Sequence, residues 1–240
     1  MEIEIDEHLI DSIVRDELEQ ARADLKHGGP IAALVRSQRR HDERLAAAGD
    51  ASTLACKNGC YWCCYFTVDV RAAEVFRILE VMAALDDETR ARIAAEIRTN
   101  SATLAGLDDE ARLRHTLKCP FLRFGRCSIY EARPQTCRNY HATDAAGCEQ
   151  AFREPDNDDI DPEFAPLVYQ SGSAHVDAFA AALAEAGYDA AVYELNAALA
   201  AALADPEGTR ARFEAKLPPF PQLPGRTVEP EFMDRPDSPA

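Results

Sequence analysis

Cysteine spacing constrains this chain more than any other feature. Four thiols fall within nine residues and four more follow further along: Cys56, Cys60, Cys63, Cys64, Cys119, Cys127, Cys137 and Cys148. Thiols two or three residues apart can converge on one ion or cluster, because a single turn brings them within about 4 Å of each other. Asn58 and Gly59 are expected to supply that turn, since both tolerate positive φ. A metal centre and a disulfide framework are both open, whereas chance burial explains one or two cysteines only.

The cellular compartment separates these two interpretations. The sequence starts Met-Glu-Ile-Glu-Ile-Asp-Glu, which lacks the basic and apolar regions of a signal peptide, and no apolar run approaches the ~20 residues of a membrane span. We therefore expect a cytoplasmic protein of bacterial type. Eight thiols do not persist as disulfides in that reducing compartment, and the neighbours Cys63 and Cys64 could pair only with strain. The metal interpretation gains accordingly.

The charge of the chain limits which kinds of partner are expected. A formal net charge of −16 and a pI of about 4.8 argue against general binding of nucleic acid or anionic membranes. A metal ion is the expected partner, and an unknown protein partner is compatible with the sequence. The hydrophobic fraction of 47% is enough for a sizeable core, so the chain is expected to be globular.

Apolar periodicity predicts a mainly α, single helical domain. Residues 7–27 form an amphipathic pattern that stops at Gly28-Gly29, and Pro30 suits the start of a second helix, so a helical hairpin is expected. Asp69 is the predicted cap of the helix after the first cysteine cluster, and Gly187 the break between two Ala-rich helices. The predicted regions are an N-terminal hairpin (1–55), a metal-binding core (56–148), an acidic loop and packing helices (149–216), and a proline-rich tail (217–240).

A small β-hairpin is predicted inside the second group of cysteines. Residues 121–122 and 128–129 are the expected arms, with the turn at 124–126 and Gly125 in the left-handed position. On straight strands Cys119 and Cys127 would lie roughly 13 Å apart, unless the chain bends at Pro120. At a separation of roughly 13 Å, the two thiols would serve different sites.

The segment 112–138 has a positive charge in an otherwise acidic chain, because it contains seven basic residues and one acid, Glu131. The segment either compensates the charge of clustered thiolates or is a solvated surface. Among the histidines, His141 is the candidate ligand because it follows Cys137 closely, and its role is left open. His115 and His175 are weaker candidates, while three others are expected at the surface: His8, His27 and His41.

These residues carry a family resemblance. The pattern C-x3-C-x2-C-C, then Cys-Pro-Phe-Leu, then Cys-Ser-Ile-Tyr-Glu-Ala-Arg-Pro-Gln-Thr-Cys-Arg, resembles the YkgJ-type cysteine-cluster family, described as zinc- or iron-chelating. The resemblance covers about residues 56–148. It does not fix the place of Cys148. It implies a metal-binding role for the other seven thiols: Cys56, Cys60, Cys63, Cys64, Cys119, Cys127 and Cys137. A similar cluster in flagellin lysine methylases makes an iron–sulfur enzyme of methyl-transfer type the alternative.

A second motif supports a radical version of that alternative. Cys56-x3-Cys60-x-Trp62-Cys63 also fits the C-x3-C-x-aromatic-C signature of radical S-adenosylmethionine enzymes. Those enzymes need a partial α/β barrel, and this sequence does not contain the strand patterns for one. Eight thiolates suffice for two zinc ions or for one [4Fe-4S] cluster with four thiols left over. Spacing predicts Cys60, Cys63 and Cys56 as the nucleus, Cys137 as their partner and Cys148 as least important. Four aromatic residues are expected to shield the centre: Tyr61, Trp62, Tyr65 and Phe66.

Overall fold

The chain begins with a long helical hairpin. The computed structural model describes residues 7–57 and 59–228, apart from the side chain of Asp109. Helix α1 (Glu7–Ala47) is interrupted at Gly29, whose φ of 72° and ψ of 179° let the second arm fold back along the first. Ion pairs join the two arms at Arg40–Glu17 (2.6 Å) and Arg36–Asp24 (2.5 Å). The predicted hairpin and its break are confirmed.

The rest of the described chain is also mainly helical, as the sequence predicted. Short 3-10 turns occur at Ala51–Thr53, Trp62–Tyr65 and Tyr130–Ala132. The further helices are α2 (Ala72–Ala83), α3 (Asp87–Leu104), α4 (Asp109–Arg114), α5 (Gln135–Asn139), α6 (Ala145–Arg153), α7 (Pro166–Glu185), α8 (Leu195–Ala204) and α9 (Pro206–Glu214).

In the described part of the chain, four short strands form two antiparallel pairs. Strand β2 (Leu122–Arg123) pairs with β3 (Arg126–Cys127) in the predicted hairpin, which is one residue tighter than expected. Its two turn residues, Phe124 and Gly125, have φ values of 49° and 74°, as a two-residue hairpin turn requires. Strand β1 (Asp69–Arg71) pairs with the distant β4 (Val192–Glu194), a sheet that the sequence did not predict.

The core lies between the hairpin and the C-terminal helices. Helix α1 packs on α7, and α2 and α3 pack on α8. The proline-rich tail contributes as well, because Phe220 is buried against Phe76, with ring centroids 6.2 Å apart. A backbone bridge between Arg226 and Val192 extends the β1–β4 pair. Residues 217–228 therefore wrap the domain, and the remainder of the predicted tail lies outside the described residues.

Two sequence predictions are wrong in this region. Asp69 does not cap α2: it lies in β1, and the carboxylate of Glu74 accepts the backbone N–H of Arg71 at 2.7 Å instead. His41 is not at the surface but fully buried, stacked on His175 with ring centroids 4.9 Å apart. His8 and His27 are exposed, as predicted. No helix among residues 7–57 and 59–228 is long and apolar enough to cross a membrane.

Candidate metal centre

The first cysteine cluster is held by a backbone turn and by a 3-10 helix. Gly59 has a φ of 101°, and the N–H of Cys60 donates to the carbonyl of Lys57 at 2.9 Å, which closes the predicted turn. The expectation for Asn58 lies outside the described residues. Cys63 and Cys64 then fall in the 3-10 helix Trp62–Tyr65. This tight helix presents two successive thiols to one region of the protein.

The second cysteine segment runs directly beside this 3-10 helix. The N–H of Cys119 donates to the carbonyl of Cys64 at 2.8 Å, and the N–H of Leu117 donates to Tyr65 at 2.7 Å. Immediately after, the N–H of Leu122 donates to the carbonyl of Cys119 at 3.0 Å, so the chain turns at Pro120. The bend at Pro120 that the sequence left open is therefore present, and Cys119 and Cys127 line the same cavity instead of serving different sites.

Cys137 is positioned by a buried glutamate. It lies on the short helix α5, whose first backbone N–H, that of Gln135, donates to Glu74 at 2.7 Å. The other carboxylate oxygen of Glu74 holds Arg71. Glu74 is only 2% exposed, and burial raises its pKa above the usual value. One side chain thus fixes the start of α2 relative to the helix that carries Cys137.

Seven cysteines line one cavity of about 180 Å³. They are Cys56, Cys60, Cys63, Cys64, Cys119, Cys127 and Cys137, and all eight cysteines of the chain are free thiols. Apolar groups complete much of the wall: Phe66, Val68, Phe121, Ile129, Pro134 and Leu195. The thiols come from three separated stretches of chain, so the fold itself brings them together.

Cys148 is buried on α6 and does not line this cavity. Burial raises the pKa of its thiol to about 12, and the charges of Cys56, Cys63 and Cys60 add to that shift. Cys148 is therefore near the first cluster but is set apart from the cavity.

The thiols influence one another, and Cys63 acts on five of the others. A hydrogen bond with Cys64, and then burial, raise the pKa of Cys63. Burial comes first for Cys119, whose pKa rises to about 12, and for Cys137, whose pKa rises well above its usual value. The charge of Cys63 adds to the upward shift at five other thiols: Cys56, Cys119, Cys127, Cys137 and Cys148. Ionising these thiols together without a cation is therefore unfavourable.

The basic segment divides between the cavity and the surface. Arg133 lines the cavity, and its charge lowers the pKa of Cys56, Cys127 and Cys137 against the larger effect of burial. Arg138 is 3% exposed and bonds to the carbonyl of Arg133 at 3.2 Å, so it supports the loop before α5. Arg114 pairs with exposed Asp158, and Arg126 is exposed. Each of the two sequence interpretations thus describes part of the segment.

The aromatic residues around the cluster have different positions. Phe66 is part of the cavity wall. Trp62 and Tyr65 instead pack on Phe152 of α6, with ring centroids 5.4 Å and 4.6 Å apart, and Tyr61 packs on Trp62 at 5.0 Å. These three rings thus form an aromatic cluster with Phe152 that joins the 3-10 helix carrying Cys63 and Cys64 to α6.

His141 also lines the cavity, which the sequence indicated only through its closeness to Cys137. Both of its ring nitrogens are buried without a hydrogen-bond partner. Burial, followed by the charge of Arg133, lowers its pKa, and the carbonyl of Arg138 opposes that shift without forming a hydrogen bond of standard geometry. The imidazole is therefore neutral at pH 7 and able to donate a lone pair.

The donor set fits a soft metal, since clustered thiols and a neutral imidazole are the groups that bind zinc and iron. Within the described part of the chain, no group of three or more His, Cys, Asp or Glu side chains is already arranged to hold a metal ion. The donors thus surround the cavity without converging on one point.

Comparison with known proteins identifies this segment. Residues 55–160 match the family model named CxxCxxCC, whose description is "Putative zinc- or iron-chelating domain". The match covers less than half of the chain and contains all eight cysteines. The family resemblance found in the sequence is confirmed, and the family description supports binding of zinc or iron without choosing between them. No curated protein and no solved structure matches the chain.

Proposed function

We propose that this protein binds zinc or iron through the thiolates that line the 180 Å³ cavity of the CxxCxxCC domain. One observation carries the proposal: seven cysteines from three stretches of chain share that cavity. A fold that needed only apolar packing at this place would have no use for so many thiols. Cysteines that line one cavity from distant stretches are instead typical of a metal-binding site.

The electrostatics of the cavity support a cation there. The thiolates repel one another, and burial disfavours their charged forms. A bound cation reverses both effects, because a coordinated thiol loses its proton and the metal charge offsets the negative sulfurs. Since the donors surround the cavity, binding draws their side chains inward onto the metal.

The number of donors favours a polynuclear centre. A tetrahedral ion takes four ligands, so seven thiols exceed what one zinc ion can use. Two tetrahedral metal ions account for the seven thiols, whereas one [4Fe-4S] cluster uses four of them and leaves three over.

The enzyme alternatives gain nothing from the described contacts. The strands among residues 7–57 and 59–228 form antiparallel pairs, whereas the radical-enzyme motif belongs to a partial α/β barrel of parallel strands. Methyl transfer rests on the sequence resemblance alone. Metal binding is therefore the function that the geometry supports best.

Purification without oxygen, followed by metal analysis and visible absorption, tests the proposal. We expect more than one equivalent of zinc or iron per chain. Broad visible absorption and a brown colour identify an iron–sulfur cluster, whereas bound zinc gives a colourless protein. Protein that holds neither metal, even after anaerobic reconstitution with each, would refute the proposal.

Cysteine variants locate the centre. Cys60→Ser and Cys137→Ser remove cavity-lining thiols from two separated stretches of chain and should each lower metal content well below that of the wild type. Cys148→Ser is the matched control, because Cys148 is buried nearby but does not line the cavity. Full metal occupancy in Cys60→Ser, or an equal loss in Cys148→Ser, would contradict the assignment of the centre to this cavity.

A further inference from the structure

Eight cysteine and histidine side chains line the cavity, and seven of them are thiols. The cavity wall includes His141 and excludes Cys148, so the set of seven sulfurs and one nitrogen differs from the eight cysteines that the sequence suggests. Resting on the proposed function, we propose that His141 is a metal ligand and supplies the eighth donor in place of Cys148.

The backbone holds His141 firmly against the cavity. It follows the end of α5, where the N–H of Tyr140 donates to the carbonyl of Thr136 at 3.1 Å. On its other side, the carbonyl of Ala142 accepts the N–H of Ala55 at 3.0 Å, next to Cys56. Residue 141 therefore lies between the helix that carries Cys137 and the start of the first cysteine cluster.

The two ring nitrogens of His141 have an unfilled requirement. Each is buried without a hydrogen-bond partner. An unsatisfied buried polar group is destabilising, and His141 differs from the equally unpartnered His41 in that it lines the cavity with seven thiols. A metal in the cavity removes the cost at one nitrogen. The nearby Arg138 carbonyl is suited to accept from the other, as the second nitrogen of a metal-bound histidine usually requires.

The count of donors agrees with common zinc chemistry. Eight donors divide into two tetrahedral sets of four, one with four cysteines and one with three cysteines and a histidine, and both sets are frequent in structural zinc sites. Seven thiols alone would leave one of the two ions short of a ligand.

Zinc-loaded protein offers a direct test by X-ray absorption at the zinc edge. The wild type should show sulfur at about 2.3 Å together with nitrogen at about 2.0–2.1 Å and the outer-shell pattern of an imidazole ring. His141→Cys should keep its zinc, lose the imidazole pattern and show sulfur only. His141→Ala should bind zinc more weakly, by at least the roughly 10–100-fold that loss of an outer-shell partner costs.

His41 provides a matched control. It too is a buried histidine with both ring nitrogens unpartnered, but it does not line the cavity. His41→Asn should therefore keep the imidazole pattern, even if it destabilises the fold. A general loss of structure would affect both histidine positions, whereas loss of a ligand affects only His141.

The outcomes separate this inference from the function beneath it. A wild-type protein that binds no zinc or iron would refute the proposed function and the ligand assignment together. Bound zinc with sulfur neighbours only would overturn the role of His141 and leave the thiolate centre intact, whether or not any variant folds. An imidazole pattern that persists unchanged in His141→Cys would likewise overturn it.

Discussion

Glu74 provides the sharpest test of how the fold supports the candidate centre. Its carboxylate accepts two backbone N–H groups at 2.7 Å, from Arg71 and from Gln135 at the start of α5. Glu74→Ala would leave both donors buried and unsatisfied, at about 1–3 kcal/mol each, or about 2–6 kcal/mol together. That loss is a large part of the roughly 5–15 kcal/mol by which a domain is normally stable.

Urea unfolding and thermal melts measure this effect. At about 2–4 °C per kcal/mol for a chain of this size, a loss of about 4 kcal/mol lowers Tm by about 8–16 °C. Glu74→Gln keeps one carbonyl acceptor and should lose about half as much. The control is Glu80→Ala in the same helix, where a half-exposed carboxylate pairs with Arg210 at 3.2 Å and contributes about 1 kcal/mol or less. Equal losses at Glu74 and Glu80 would refute the reasoning.

The pH dependence of the same variant has a definite sign. Burial raises the pKa of Glu74 in the folded protein above the value of 4.5 that applies when it is exposed. The folded state therefore binds this proton more tightly, and the stabilisation is complete below pH 4.5 and lost as the pH rises through the folded pKa. Because glutamine does not titrate, the advantage of the wild type over Glu74→Gln should be largest below pH 4.5 and should shrink over that window.

Three further predictions concern the metal, the thiols and the helix packing. Chelation should lower Tm markedly, because metal binding is linked to folding, and an unchanged melt after proven metal loss would contradict a structural centre. Thiol titration of denatured, metal-free protein kept from oxygen should find eight free cysteines, whereas only two or four would indicate disulfides. Gly172→Ala should cost about 1–3 kcal/mol by overpacking, since its Cβ would fall 1.7 Å from Oδ1 of Asn139; Gly106→Ala, with open space around it, should cost little in the same urea titration.

The parts of the fold that depend on neighbouring residues could be predicted from the sequence. The hairpin arms follow from apolar periodicity, and their break from two glycines and a proline in a row. The sheet between β1 and β4 could not be predicted, because each strand has three residues and its partner lies more than a hundred residues away. Asp69 was misassigned as a helix cap for the same reason. It lies shortly before α2, as a cap would, and only its pairing with β4 shows that it belongs to a strand.

For the candidate centre, the sequence predicted which residues matter better than where they lie. Cysteine spacing indicated a metal site, but the approach of Cys119 to Cys127 depends on a bend at Pro120 that straight strands do not have. The position of Cys137 depends on Glu74, a charged residue within an apolar helix that gave no sign of being buried. The placement of His141 on the cavity wall follows from these tertiary contacts, so adjacency to Cys137 was its only signal.

Arg133 tests whether the basic segment serves the thiolates. Its guanidinium lines the cavity and lowers the pKa of several thiols, including Cys127 and Cys137, so removing it should raise them further. A thiol must lose its proton to bind metal, and Arg133→Met should therefore shift the midpoint of zinc uptake to higher pH. An opposite charge within about 4–6 Å moves a pKa by roughly 1–3 units, and here one charge is shared among several thiols, so we expect about one pH unit.

The control for this prediction is Arg126→Met, in the same basic segment. Arg126 is exposed and does not line the cavity, so its removal changes the net charge of the chain by the same amount without acting on the thiols at close range. The midpoint of zinc uptake, followed from pH 5 to 9, should shift only for Arg133→Met. Added salt should leave most of that shift in place, because Arg133 and the thiols are partly buried and are screened less than surface charges. Equal shifts for both variants would mean that the whole segment acts as a diffuse surface field.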